Sequence, residues 1–242
     1  MRVLAIADPH LSRRDPKPMD IFGPGWDGHP EAFFEGWRAT VREDDLVLIP
    51  GDLSWAMRLE DALHDLHDIA ALPGRTVILR GNHDYWWPSI GKLRRALPPS
   101  MQAIQNDALR IGDVVVAGTR GWVCPGSHEF GEQDERIYQR ELGRLDLSLA
   151  RAAELRRRGD ALVVMLHYPP TNPRSEPSGF SERIVRAGPD ALVFGHVHGG
   201  REVAAAPIDG VDVRFVAADA LGFRPMLVLE TPADLPPLTQ PG

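Results

Sequence analysis

Short apolar runs recur along this chain, each cut off by a polar cluster, and that alternation limits the folds open to it. VLAIA (3–7), LVLIP (46–50), TVIL (76–79), ALVVML (161–166) and ALVF (191–194) carry apolar or β-branched residues on both faces, as strands covered on two sides do. Runs at 114–117, 211–216 and 226–229 read as strands too. Amphipathic stretches lie between them. Phe33, Trp37 and Val41 predict a helix over 31–42, and Leu59, Leu63, Leu66 and Ala70 predict another over 59–70. Tyr138, Leu142, Leu145, Leu149 and Ala152 predict a longer one over 133–158, with Gly159 as its stop. Strands alternating with helices give an α/β fold.

The chain's 242 residues can bury a sizeable core. Nothing in the sequence divides it, so a single domain over 1–242 is expected. A segment over 11–30, rich in Pro, Gly and Asp, reads as a long structureless loop, and loops of that length are usually functional. A Pro-rich tail over 231–242 is expected to lie along the surface. The net charge of −7 argues against long nucleic acid and anionic membrane as partners. With no apolar run long enough to span a bilayer and no signal peptide, a cytoplasmic location is expected. The single cysteine, Cys124, excludes an intrachain disulfide and a thiolate metal cluster, and reads as a small apolar filler.

The polar clusters that close the strands carry the chemistry. Asp8 and His10 follow the first run, Gly51-Asp52 the second, and Gly81-Asn82-His83-Asp84 the third. His167 follows the run at 161–166, and His196 and His198 follow the one at 191–194. These positions hold five of the nine histidines: His10, His83, His167, His196 and His198. The carboxyl ends of strands are where α/β proteins build their sites. Carboxylate, amide oxygen and imidazole without sulfur suit hard or borderline divalent metals.

The ordered set D-x-H (Asp8, His10), G-D (Gly51, Asp52), G-N-H-D (Gly81 to Asp84), a lone His167 and G-H-x-H (Gly195 to His198) resembles the calcineurin-like metallophosphoesterase family. The resemblance implies a four-layer αββα sandwich, two mixed β-sheets flanked by helices. It implies two divalent metal ions, Mn²⁺ expected and Fe, Co or Zn also compatible. Asp8, His10 and His198 would hold the first metal; Asn82, His167 and His196 would hold the second; Asp52 would bridge both. His83 would be the catalytic residue beside the scissile ester, and Asp84 would tie its loop down. The activity implied is hydrolysis of a phosphoester, mono or di, in a small-molecule or nucleotide substrate. Paired cations about 3.5–4 Å apart can share a hydroxide and offset phosphoryl charge.

One departure from the family pattern stands out. Relatives often place an Asp three residues after the bridging one, to orient the catalytic histidine, followed by an Arg. Here GDLSWAM puts Trp55 and Ala56 at those places. The orienting carboxylate must therefore come from elsewhere or be absent, and the phosphate-binding arginine is open among Arg58, Arg80, Arg120 and Arg136. Arg120, which follows a strand, is the preferred candidate, and His29 in the long loop is a second substrate-side candidate. Tyr85-Trp86-Trp87 reads either as a wall beside the site or as core packing. His64 and His67 read as solvated helix surface, and His128 as without a role. Two alternatives to the hydrolase remain: a non-catalytic interaction module retaining the fold, and a protein serine/threonine phosphatase, which GDLSWAM disfavours.

Overall fold

The computed structural model describes residues 1–14, 16–199 and 207–231, so the proposed tail beyond 231 lies outside the described residues. Ten strands form two five-stranded sheets. The first, in order β10-β1-β2-β3-β4, is built from β1 (Arg2–Ala5), β2 (Leu46–Pro50), β3 (Arg75–Leu79), β4 (Met101–Ala103) and β10 (Met226–Glu230). The second, in order β5-β6-β7-β8-β9, is built from β5 (Ala108–Ile111), β6 (Val114–Thr119), β7 (Ala161–Leu166), β8 (Ala191–Phe194) and β9 (Asp212–Phe215). In each sheet one edge strand, β10 or β5, runs antiparallel to its neighbour while the rest are parallel. Both sheets are therefore mixed, as the resemblance implied.

The burial follows from the two-residue period of a strand. Val3, Ala5, Leu46, Leu48, Val77 and Leu79 of the first sheet meet Val114, Val116, Val163, Met165, Ala191 and Val193 of the second in one core between the sheets. The alternate residues face outward: Leu4, Val47, Ile49 and Ile78 pack under α1 (His29–Thr40), α2 (Leu59–Ala70) and α3 (Ile90–Ala96). Val115, Ala117, Leu162 and Val164 do the same under α4 (Glu132–Leu155) and α5 (Gly179–Ala187). Four layers result, helix, sheet, sheet, helix. This is why the central strands read as unbroken apolar runs.

Several sequence expectations are corrected. The strands β4 and β5 and the helices α3 and α5 were not expected; they are short, β5 is only half buried and α3 only half apolar. α5 owes its start to Ser178, whose Oγ accepts from the Phe180 and Ser181 amides, and its end to left-handed Gly188. α4 stops at Leu155 because Arg156 turns extended; Gly159 lies beyond that stop rather than at it. α1 begins at His29, with Pro30 in its first turn, and ends at Thr40. The loop over 11–30 is not structureless, since Asp20–Phe22 and Pro24–Trp26 form single 3₁₀ turns.

Candidate active site

The parallel strands of both sheets end on one side of the molecule, and the polar clusters meet there. Asp8, His10 and His198 each offer a ligand atom within 4.8 Å of the others, and Asp8, Asp52 and His167 do likewise. Asn82 Oδ1 lies 2.5 Å from His167 Nε2 and 2.9 Å from His196 Nδ1. His167 Nε2 is 3.5 Å from Asp52 Oδ2, and His10 Nε2 is 3.8 Å from the same oxygen. Asp52 therefore stands between the two groups. The structure brings together all seven residues that the motifs marked as ligands, and His83 is tied to them by its amide, which donates to Asp52 Oδ1 at 2.8 Å.

The backbone is bent to achieve this. Asp8, His10, Asp52 and His196 have φ of 59°, 46°, 53° and 74°, a left-handed region that costs non-glycine residues roughly 1–3 kcal/mol each. The surrounding structure holds them there: the His196 amide donates to Asp8 Oδ2 at 2.9 Å, and the Asp8 and His10 amides donate to the Gly51 and Asp52 carbonyls. Two glycines are required by close approach. A Cβ at Gly81 would run into the Asp52 carboxylate, and one at Gly195 into that of Asp8.

Asp84 binds the GNHD loop to the GD loop. It is fully buried and accepts from the amides of Gly81, Asp52, Leu53 and Ser54 and from Trp86 Nε1. Burial and the Asp52 charge raise its pKa to about 7, against the pull of those amides. Trp86 and Trp87 are buried in the core, while Tyr85 is exposed with its ring 6.2 Å from that of His83. The aromatic trio thus splits between packing and the site edge.

The donor set fits metal ions. Asp8 Oδ1 and His10 Nδ1 are buried with no hydrogen-bond partner among the described residues. His10 Nε2 and His198 Nε2 face each other at 3.1 Å. Imidazole nitrogens and a carboxylate oxygen gathered so closely are suited to a cation. Electrostatics agree. Burial lowers the His10 imidazole well below its usual range and takes His167 to about 3 and His196 to about 2, so these rings stay neutral and able to coordinate. Burial raises Asp52 to about 6 and Asp8 well above the carboxylate range, with Asp52 adding to the shift of Asp8. Carboxylates buried so closely need a counter-charge to stay ionised.

Supports outside the motifs complete the site. The Asp219 carboxylate lies 3.4 Å from His198 Nδ1 and accepts from the Gly199 amide at 3.0 Å, fixing which His198 nitrogen faces inward. The Pro50 carbonyl, 3.0 Å from His167 Nδ1, does the same for His167. Trp55 stacks on His10 at 4.9 Å and packs against His83 at 4.5 Å. The ring thus occupies the place of the family's orienting carboxylate, and His83 Nδ1 has no acceptor among the described residues. Trp26, from the long loop, covers His198 and His10 with ring centroids 5.2 and 5.8 Å away. His29 is buried beneath that loop, its Nε2 3.2 Å from the His10 carbonyl, so it braces the site from behind. Arg120 packs over Trp122 at 4.6 Å and pairs with buried Glu141 at 3.5 Å; its Nε and that of Arg80 are buried without an acceptor among the described residues. Sequence reading missed Asp219 and Trp26 because neither lies in a motif. For Asp219, the only sequence cue was a carboxylate just after a strand.

His64 and His67 sit on α2, away from these clusters, and Cys124 is a buried free thiol whose pKa burial raises to about 11. Both agree with their plain structural readings. No helix among the described residues is long and apolar enough to cross a membrane.

Similar proteins share this architecture. The structure resembles a phosphopantetheinyl hydrolase from Mycobacterium tuberculosis, with a TM-score of 0.57 and 14% identity over 98% of each chain. It also resembles the protein TT1561 of Thermus thermophilus, with a TM-score of 0.56 and 15% identity over 90% of each chain. No curated protein matches the sequence. At such identities the likenesses speak for the fold alone. The profile of the calcineurin-like phosphoesterases matches residues 1–200, and with the motif residues gathered at the strand ends, the chain belongs to that family.

Proposed function

We propose that this protein is a phosphoester hydrolase dependent on two divalent metal ions, acting on a small-molecule or nucleotide substrate. One observation carries the reading: Asp8, His10, Asp52, Asn82, His167, His196 and His198, from five separate strand ends, converge with His83 beside them. Asp8, His10 and His198 would hold one ion, Asn82, His167 and His196 the other, and Asp52 both. Bound cations would offset the negative charge of the phosphoryl oxygens and acidify a water for attack at phosphorus.

The chain's own groups do the rest. His83 would hold a proton for the leaving oxygen, a role that typically contributes about 10²–10⁴-fold. Trp55 and the Asp52–amide bond fix its ring and backbone in place of a carboxylate partner. Arg120, with an unused buried Nε, would donate to a non-bridging phosphoryl oxygen. Trp26 and Trp55 shield the His10 side from bulk water.

The test is hydrolysis of p-nitrophenyl phosphate and bis-p-nitrophenyl phosphate by protein loaded with Mn²⁺, before and after chelation, with elemental analysis of the protein as purified. Turnover abolished by chelator, and reduced at least about 100-fold by His83→Ala with metal content unchanged, is the expected result. Bound metal with no turnover of either ester would favour the non-catalytic module instead.

A further inference from the structure

Beside the proposed metal positions lies a cleft of about 590 Å³, one wall of which is formed by His196 and His198 themselves. Its size is that of a small-molecule site. It runs between the loop that follows β6 and the loop that follows β7. Two sets of bonds make it preformed. Asn172 Nδ2 donates to the Pro125 carbonyl at 2.9 Å, joining the loops, and Ser178 Oγ donates to the Pro170 carbonyl at 2.6 Å. Tyr168 is buried against His196, with ring centroids 3.9 Å apart, and forms the boundary between cleft and ligands.

The chemistry of the wall is selective. Val123, Pro169, Pro173 and Val197 supply apolar surface, and Ser127 and Thr171 supply neutral hydrogen-bonding groups. No lysine or arginine is among its described lining residues, and the one fixed charge is the Glu129 carboxylate at the exposed rim, next to His128. A second phosphate or a carboxylate placed at the far end of the cleft would meet no cationic side chain among the described lining residues and would face Glu129. His83 is not a wall residue. It packs on the other flank, against Trp55 and His10. The group that leaves, which His83 would protonate, therefore departs on that flank, and the cleft is open to whatever else the phosphorus carries.

We propose that this cleft seats the retained, uncharged arm of a phosphodiester, making the protein a diesterase that rejects arms bearing a second negative charge. The inference rests on the hydrolase reading above and assigns its substrate class. His128 becomes a rim residue of the substrate cleft rather than a bystander.

Three esters with the same leaving group test it: p-nitrophenyl phosphate, which has no arm, phenyl p-nitrophenyl phosphate, and 4-carboxyphenyl p-nitrophenyl phosphate. The expected kcat/KM for the phenyl ester exceeds that for each of the other two by about tenfold or more, the scale of one unfavourable charge contact. Thr171→Arg, which puts a cation in the wall, and Glu129→Lys, an exposed rim change that spares the fold, should each shift the carboxyphenyl-to-phenyl ratio upward by about tenfold. Calorimetric binding of diphenylphosphinate against its 4-carboxyphenyl counterpart should show the same preference without any turnover. Equal handling of the two diester arms by the unaltered protein, or a ratio that neither variant moves, overturns the cleft assignment and leaves the hydrolase intact. Loss of all three reactions in metal-loaded protein, with phosphinate binding preserved, overturns the hydrolase reading and with it the diesterase assignment.

Discussion

Asp84 ties together the two loops that carry Asp52 and Asn82. Five N–H donors converge on its buried carboxylate, four of them backbone amides of the two loops that carry Asp52 and Asn82. Each amide left unpaired in the interior costs about 1–3 kcal/mol. Asp84→Ala is therefore expected to lower stability by more than about 3 kcal/mol in chemical denaturation, and to lose bound metal. Asp219 acts on a single ligand. Asp219→Ala frees the His198 ring to turn, so Mn²⁺ affinity should fall about 10–100-fold in a chelator competition with the fold unchanged by circular dichroism, and Asp219→Glu should recover part of it. Equal affinity in Asp219→Ala would show that the carboxylate holds the Gly199 amide alone.

At the level of elements, three of the five strands that lead into the site deliver their ligands through a bend that regular structure does not allow. β1, β2 and β8 run straight into residues with positive φ, and that strain is balanced by amide bonds across to the neighbouring loop. Gly81→Ala and Gly195→Ala test the balance, because the added methyl would displace Asp52 or Asp8. Loss of metal binding is expected from both, in proteins whose secondary structure persists. Leu145 on α4 illustrates the opposite case, a side chain important for stability that packs away from the ligands. Leu145, fully buried against the second sheet, should cost about 2–5 kcal/mol when cut to alanine and leave metal affinity unchanged.

For the molecule as a whole, proton and metal compete for one charge cluster. The imidazoles of His167 and His196, lowered to about 3 and about 2, are neutral throughout the range in which the protein would work. The carboxylates are the groups that bind protons, Asp52 with a pKa raised to about 6 and Asp8 also raised. A raised carboxylate pKa means that a proton must be displaced before a cation can bind below that value. Metal affinity should therefore weaken as pH falls below about 6, by about tenfold per pH unit for each carboxylate protonated. Calorimetry across pH 5–8 would show it, with more protons released on binding at pH 5.5 than at pH 8 as the companion signal.

Apolar runs of period two or unbroken carried most strand positions and the α/β class, while the four-layer architecture and the ligand set came from the family resemblance of the Asp, His and Asn motifs at their ends. The runs and motifs are local, set by which side chains the solvent excludes and which atoms can donate to a cation. α2, β7 and β8 were legible to the residue for that reason. Short elements such as β5 and α3 were not, because their stability comes from the sheet edge and helix layer they join. Contacts made across the chain were equally hidden. Asp219 reaches His198, Trp55 replaces a carboxylate at His83, Trp26 caps the site, and two loops enclose a cleft with no lysine or arginine among its described lining residues. Residues such as these acquire their roles only when the packing of two sheets sets their distance and burial, since no spacing along the chain encodes a neighbour brought in from another strand.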